Sequence, residues 1–98
     1  MRPEELEPNS ATAARLLGAI ANQKRLMILS HLFADELSVT SLAVRVELSQ
    51  SALSQHLAKL RKLGMVQTRR DGQTIYYKAV CERTRAIIGS VCNAFVAA

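Results

Sequence analysis

Leu48-Ser49-Gln50-Ser51-Ala52-Leu53-Ser54-Gln55-His56-Leu57-Ala58-Lys59-Leu60-Arg61-Lys62-Leu63-Gly64 is the stretch on which the reading of this chain turns. Ser49 is a favourable N-cap and Gly64 a natural stop, so the spacing predicts a helix running to about Leu63. At about 100° per residue Leu53, Leu57 and Leu60 cluster on one side and must face a core. The opposite side shows Ser51, Ser54, Gln55, Ala58, Lys59 and Lys62. Small residues there let the backbone enter a major groove about 12 Å wide, and Gln55 can bond an adenine edge.

Toward the N-terminus, Ala13, Leu16, Leu17, Ile20 and Ala21 recur at helical spacing from Ser10. Asn22 can cap a second helix from about Gln23 to Phe33, with Leu26, Leu29, Leu32 and Phe33 inward. Ser38 can cap a third, short one carrying Leu42, Ala43 and Val46. After Gly64 the pattern changes: residues 65–70 and 73–78 are rich in β-formers and flank Asp71-Gly72, a strong two-residue hairpin signal. Helical spacing returns from about Cys81 to Val96. The layout is mainly α with a small β-hairpin, α-α-α-α-β-β-α, the order of a winged helix-turn-helix. Residues 1–9, with two prolines and three glutamates, read as a flexible tail; residues 10–98 read as one domain for DNA binding and dimerisation.

In that layout Ser49, Gln50, Ser51, Ser54, Gln55 and Lys59 are the candidate DNA-contacting residues of the reading helix. His56, at the edge of its core face, reads either as a packed rim residue or as a contact to the DNA backbone. Arg69, Arg70, Gln73 and Thr74 are the candidates on the wing, with the two arginines suited to phosphate or to the minor groove. A solvated charged turn is the plain alternative. Leu16, Leu17, Ile20, Ile88, Val91, Cys92 and Phe95 form apolar seams on the first and last helices of the domain and are the candidate dimer interface.

Charge placement agrees with this. Thirteen basic and eight acidic residues give +5, but residues 1–37 sum to −1, whereas residues 49–78 alone hold +5. A basic segment on a near-neutral remainder is the footprint of a polyanion binder. A chain of 98 residues buries a thin core, so a partner subunit would help it. Two cysteines make no disulfide framework, and neither a leader-like start nor a spanning apolar run is present, so the expected setting is the cytoplasm with no membrane partner.

Residues Leu48 to Leu57, followed by Lys59-Leu60-Arg61, the strand Thr68-Arg69-Arg70 and Ile75-Tyr76-Tyr77, together with Asn22-Gln23-Lys24-Arg25-Leu26 leading into Ile28-Leu29, resemble the ArsR/SmtB repressors, and within them the metal-independent branch. The likeness covers about residues 13–95. It implies a homodimer formed by the first and last helices of the domain, binding an imperfect inverted repeat of double-stranded DNA, usually to repress.

Many such proteins sense metal through paired cysteines at the start of the third helix, where this chain reads Glu36-Leu37-Ser38-Val39-Thr40. Hydroxyls do not replace thiolates for soft metals. Another familiar site needs Asp and His on the last helix, yet after Gly72 there is neither, only Glu82. No metal and no cofactor are therefore expected. A redox-sensing branch keeps one cysteine in the second helix and one near the end of the last; Ser30 and Val96 stand there. Cys81 and Cys92, eleven residues apart, would lie about 16 Å apart on one straight helix and cannot bridge within it. They read as small buried apolar residues at the dimer seam, with a redox switch at Cys92 as the alternative. No phosphate loop, placed nucleophile or carboxylate pair marks an enzyme. A winged helix that binds protein is the other class of function.

Overall fold

Three polar side chains start three helices as the sequence suggests. The Asn22 side chain accepts from the Arg25 amide to open α3 (Gln23–Ala34), Ser38 accepts from Ser41 to open α4 (Val39–Val46), and Ser49 accepts from Ala52 to open α5 (Gln50–Lys62). Each satisfies an amide that the first helical turn leaves unpaired. The computed structural model describes residues 1–96. Ahead of these helices run α1 (Pro3–Leu6), a 3-10 turn (Glu7–Asn9) and α2 (Ser10–Ile20), and α6 (Glu82–Val96) follows the sheet.

The segment read as a tail thus carries helical turns. Pro3, at the start of α1, has the dihedral angle a first turn needs, and Arg2 Nε donates to Glu5 Oε1 at 2.8 Å. No residue of α1 or of the 3-10 turn is buried.

The expected hairpin is part of a larger unit. Leu37–Ser38 forms β1, which pairs antiparallel with β3 (Thr74–Ala79), and β3 pairs with β2 (Val66–Asp71), giving the order β1-β3-β2. The turn also differs from the expected one. Asp71 pairs with Thr74, so the two loop residues are Gly72 and Gln73, not Asp71 and Gly72. Gly72 takes φ +63° while Gln73 stays out of the left-handed region, the pattern of a II′ turn, whose first central position favours glycine.

The core lies where α2, α3, α4 and α5 meet the inner face of the sheet. Ile28, Leu29, Leu42, Leu53 and Leu60 are fully enclosed, with Leu32, Val46, Leu57, Met65, Val66 and Ala79 around them. Burying one such aliphatic side chain is worth about 1.5–3 kcal/mol. Leu53, Leu57 and Leu60 recur at spacings of four and three, which presses one side of α5 onto the core and commits the other to solvent.

Candidate nucleic-acid interface

The joint between α4 and α5 is held by backbone and by one lysine. Leu48 N donates to Ala43 O at 3.1 Å and Glu47 N to Val44 O at 3.4 Å, the paired bonds of a Schellman motif. Glu47 occupies the left-handed position at φ 55°, which glycine usually fills. Lys24 reaches from the first turn of α3 and donates through Nζ to Val46 O at 2.6 Å, so the carbonyl end of α4 meets a positive charge. The same motif closes α5 with the expected residue: Gly64 at φ +75° lets Met65 N reach Leu60 O and Gly64 N reach Arg61 O, each at 3.0 Å.

With both ends fixed, α5 presents Gln50, Ser51, Ser54, Gln55, Ala58 and Lys59 to solvent along one side. Ser49 is exposed as well, but its oxygen is engaged by the Ala52 amide at 3.1 Å, which leaves its hydroxyl hydrogen to donate outward. His56 is half-buried at the rim. Burial holds its pKa below the ordinary value, and the charges of Arg25 and Lys59 lower it further. Arg25 is the residue that sequence reasoning left without a role. It projects from the start of α3 toward His56, and its Nε is enclosed without a partner. The signal was the pair Lys24-Arg25 at a helix start, one member of which holds the joint while the other adds charge beside α5.

On the wing, Gln73 and Thr74 stand exposed at the tip. Arg69 and Arg70 point to opposite faces, as consecutive strand residues must. Arg70 shares the face that leads through Thr68 to buried Val66, pairs across from Ile75, and donates from Nε to the Gly72 carbonyl at 3.1 Å. Arg69 lies on the outer face, bonded to Glu36 and stacked on Tyr76.

The apolar seams divide in a way the sequence does not reveal. Ile20 is 7% exposed and belongs to the core of its own chain, so it offers little area to a partner. Leu16 and Ile88 are partly buried against that core. Leu17 is 49% exposed, Val91 41% and Phe95 85%, and Cys92 is exposed beside them. Between α2 and α6 runs an open groove of about 350 Å³ lined by Thr12, Ala13, Leu16, Ala86 and Ile87. Cys81 is half-buried just ahead of α6. Burial pushes its thiol up, but the nearby Thr84 hydroxyl, the Thr84 and Arg83 backbone and the Arg83 charge more than offset this and leave its pKa below the ordinary value. Among the described residues no group of three or more His, Cys, Asp or Glu side chains is placed to hold a metal ion, and Ser38, at one familiar metal position, is occupied in capping α4. No helix among them is long and apolar enough to cross a membrane.

Helix pair, reading face and three-stranded wing together define a winged helix-turn-helix transcription regulator. The chain belongs to the arsR family of bacterial regulatory proteins, whose model matches residues 22–68. It is 52% identical over 88 residues to the transcriptional activator HlyU of Vibrio cholerae, covering 90% of this chain and 82% of that one. It is 47% identical over 93 residues to the nodulation protein NolR of Rhizobium meliloti, covering 95% and 76%. The crystal structure of the transcriptional repressor BigR from Xylella fastidiosa superposes with a TM-score of 0.91 at 30% identity, over 97% of each chain.

Proposed function

We propose that this regulator binds an inverted repeat of double-stranded DNA as a homodimer, with α5 in the major groove and the wing against the adjacent backbone. The observation that carries the reading is the division of α5: three leucines enclosed on one side, and Gln50, Ser51, Ser54, Gln55 and Lys59 free on the other. A face of small and polar residues lets the helix axis approach base edges, where Gln55 discriminates adenine, while Ser51 and Ser54 keep the approach unobstructed. Arg70 and Lys59 supply charge to phosphates, and Gln73 and Thr74 lie at the wing tip beside the neighbouring groove.

The second subunit sits on α2 and α6. Leu17, Val91 and Phe95 are large apolar side chains exposed on these two helices, and covering them with a second copy removes that area from water. The dimer then offers two reading helices to two half-sites. Residues 10–98 form the binding and dimerising unit, which works in the cytoplasm as a regulator and not an enzyme. Where its site overlaps those of other DNA-binding proteins it represses by competing with them, and it needs no metal, since Ser38 and Thr40 stand where soft-metal ligands would be required. HlyU is an activator and BigR a repressor, so the position of the site relative to a promoter decides the sign.

Selection of bound duplexes from a random pool tests this directly. The expected product is a two-fold symmetric sequence with half-sites about one helical turn apart. A pool that shows no enrichment, with a partner protein bound instead, would overturn it.

A further inference from the structure

The two arginines of the wing differ in what already holds them. Arg69 Nε donates to Glu36 Oε1 at 2.7 Å, its guanidinium carbon lies 4.6 Å from the centre of the Tyr76 ring, and its Nη1 is 4.0 Å from Asp71 Oδ2. Strand register explains the reach. Arg69 stands opposite Tyr76, and Tyr76 opposite Ser38, so the three form a row on one face, and Glu36, two residues before Ser38, shares that face. Arg69 therefore crosses the whole sheet, over Tyr76, from β2 to the residue ahead of β1. Ser38 at the end of β1 is also the cap of α4. Glu36 is thus rooted at the base of the helix pair.

We infer that Glu36 and Arg69 form a strut that sets the angle of the wing against α4 and α5, so that Arg69 is a positioning residue and Arg70 is the wing arginine that meets phosphate. This rests on the DNA-binding reading and assigns roles within it. A guanidinium that already has a carboxylate at hydrogen-bond distance, a second one nearby and an aromatic face must give these up before it can neutralise a phosphate. Arg70 bonds a neutral carbonyl, so its charge is free to meet the backbone. The strut is partly exposed, and such pairs add little to global stability. Its effect is on where the wing points.

The test is a set of titrations of the full chain against the selected duplex at several salt concentrations, using wild type, Glu36→Gln, Arg69→Ala, the double variant and Arg70→Ala, with thermal melts to show that each folds. Glu36→Gln and Arg69→Ala should each weaken binding about threefold per wing, or about tenfold for two wings. The double variant should bind no worse than either single one, and the salt slope should stay where it is. Arg70→Ala alone should flatten that slope. The opposite pattern, tighter binding by Glu36→Gln and a flatter slope for Arg69→Ala, would make Arg69 a phosphate ligand masked by its carboxylate and overturn the strut, as would additive losses. Amide exchange in the free protein probes the strut without DNA: Glu36→Gln should speed exchange across the β1–β3 pairing, and unchanged exchange counts against it. Faster exchange in a protein that selects no duplex would leave the strut standing and remove the DNA-binding reading.

Discussion

On the proposed reading Gln55 and Arg70 carry the two halves of recognition, and their removal should be felt differently. Gln55→Ala should relax preference at one symmetric pair of base positions and cost about 1–3 kcal/mol per half-site. Arg70→Ala should weaken all sequences alike and lower the slope of log affinity against log salt by about one for each phosphate no longer neutralised. Matched titrations on the selected site and on a half-site variant separate the two, and a base-specific effect of Arg70→Ala would assign reading to the wing. His56 gives a pH signature. Its folded pKa lies below the ordinary 6.5 through burial and the Arg25 and Lys59 charges, so the unfolded chain binds the proton more readily. Stability is then complete above about pH 6.5 and declines as pH falls toward the folded value. Melting temperatures between pH 7.5 and 5.5 should fall more steeply for wild type than for His56→Gln; parallel curves would place the imidazole in solvent. Single residues were legible in the sequence where a side chain acts on its own neighbours, as Asn22, Ser38 and Ser49 do in capping. The distant partners of Arg69 and Lys24 were not, because sequence spacing says nothing of a bond across 33 or 22 residues.

Among the elements, the helices from Ser10 onward were read to within a residue or two because their apolar period runs over several turns, whereas α1, only four residues long, went unread. β1 went unread: two residues show no alternation, and Ser38 announces a cap while also serving a strand. The turn slipped by one place because Asp71-Gly72 and Gly72-Gln73 are both acceptable loops; moving the loop by one residue shifts the pairing by two and keeps every side chain on its face, so alternation does not distinguish them. The helix-turn-helix joint offers a direct test of strain. α4 and α5 end in the same motif, yet one uses Glu47 and the other Gly64 in the left-handed position. Glu47→Gly should relieve the side-chain clash and stabilise the protein by about 1 kcal/mol, less the backbone entropy that glycine adds to the unfolded chain. Denaturant melts measure it, and a destabilised variant would mean that the Glu47 side chain makes up for its backbone.

For the molecule as a whole, the sequence pointed to seams on the first and last helices of the domain but could not divide them between the chain's own core and a partner. Leu16, Ile20 and Ile88 pack inward, wholly or in part, while Leu17, Val91 and Phe95 remain outside, a distinction that depends on how α6 crosses α2 and α3. Phe95→Glu is therefore a cleaner probe of assembly than a change at Ile88, which would also disturb the core. It should leave the monomer folded and raise the dimer dissociation constant by at least about a hundredfold, the magnitude set by a charge placed in an apolar interface. Sedimentation across a concentration series measures this, and an unmodified chain that stays monomeric and folded at micromolar concentration would remove the dimer.

The outer half of α6, from Gly89 to Val96, has no buried side chain within its own chain. If only the paired form grips both half-sites, the amount of competent regulator follows a second-order law. At low copy number, halving the chains leaves about a quarter of the pairs. Dilution by growth and turnover of the chain would then act on the genes it governs, and the exposed end of one helix would serve as a gauge of concentration.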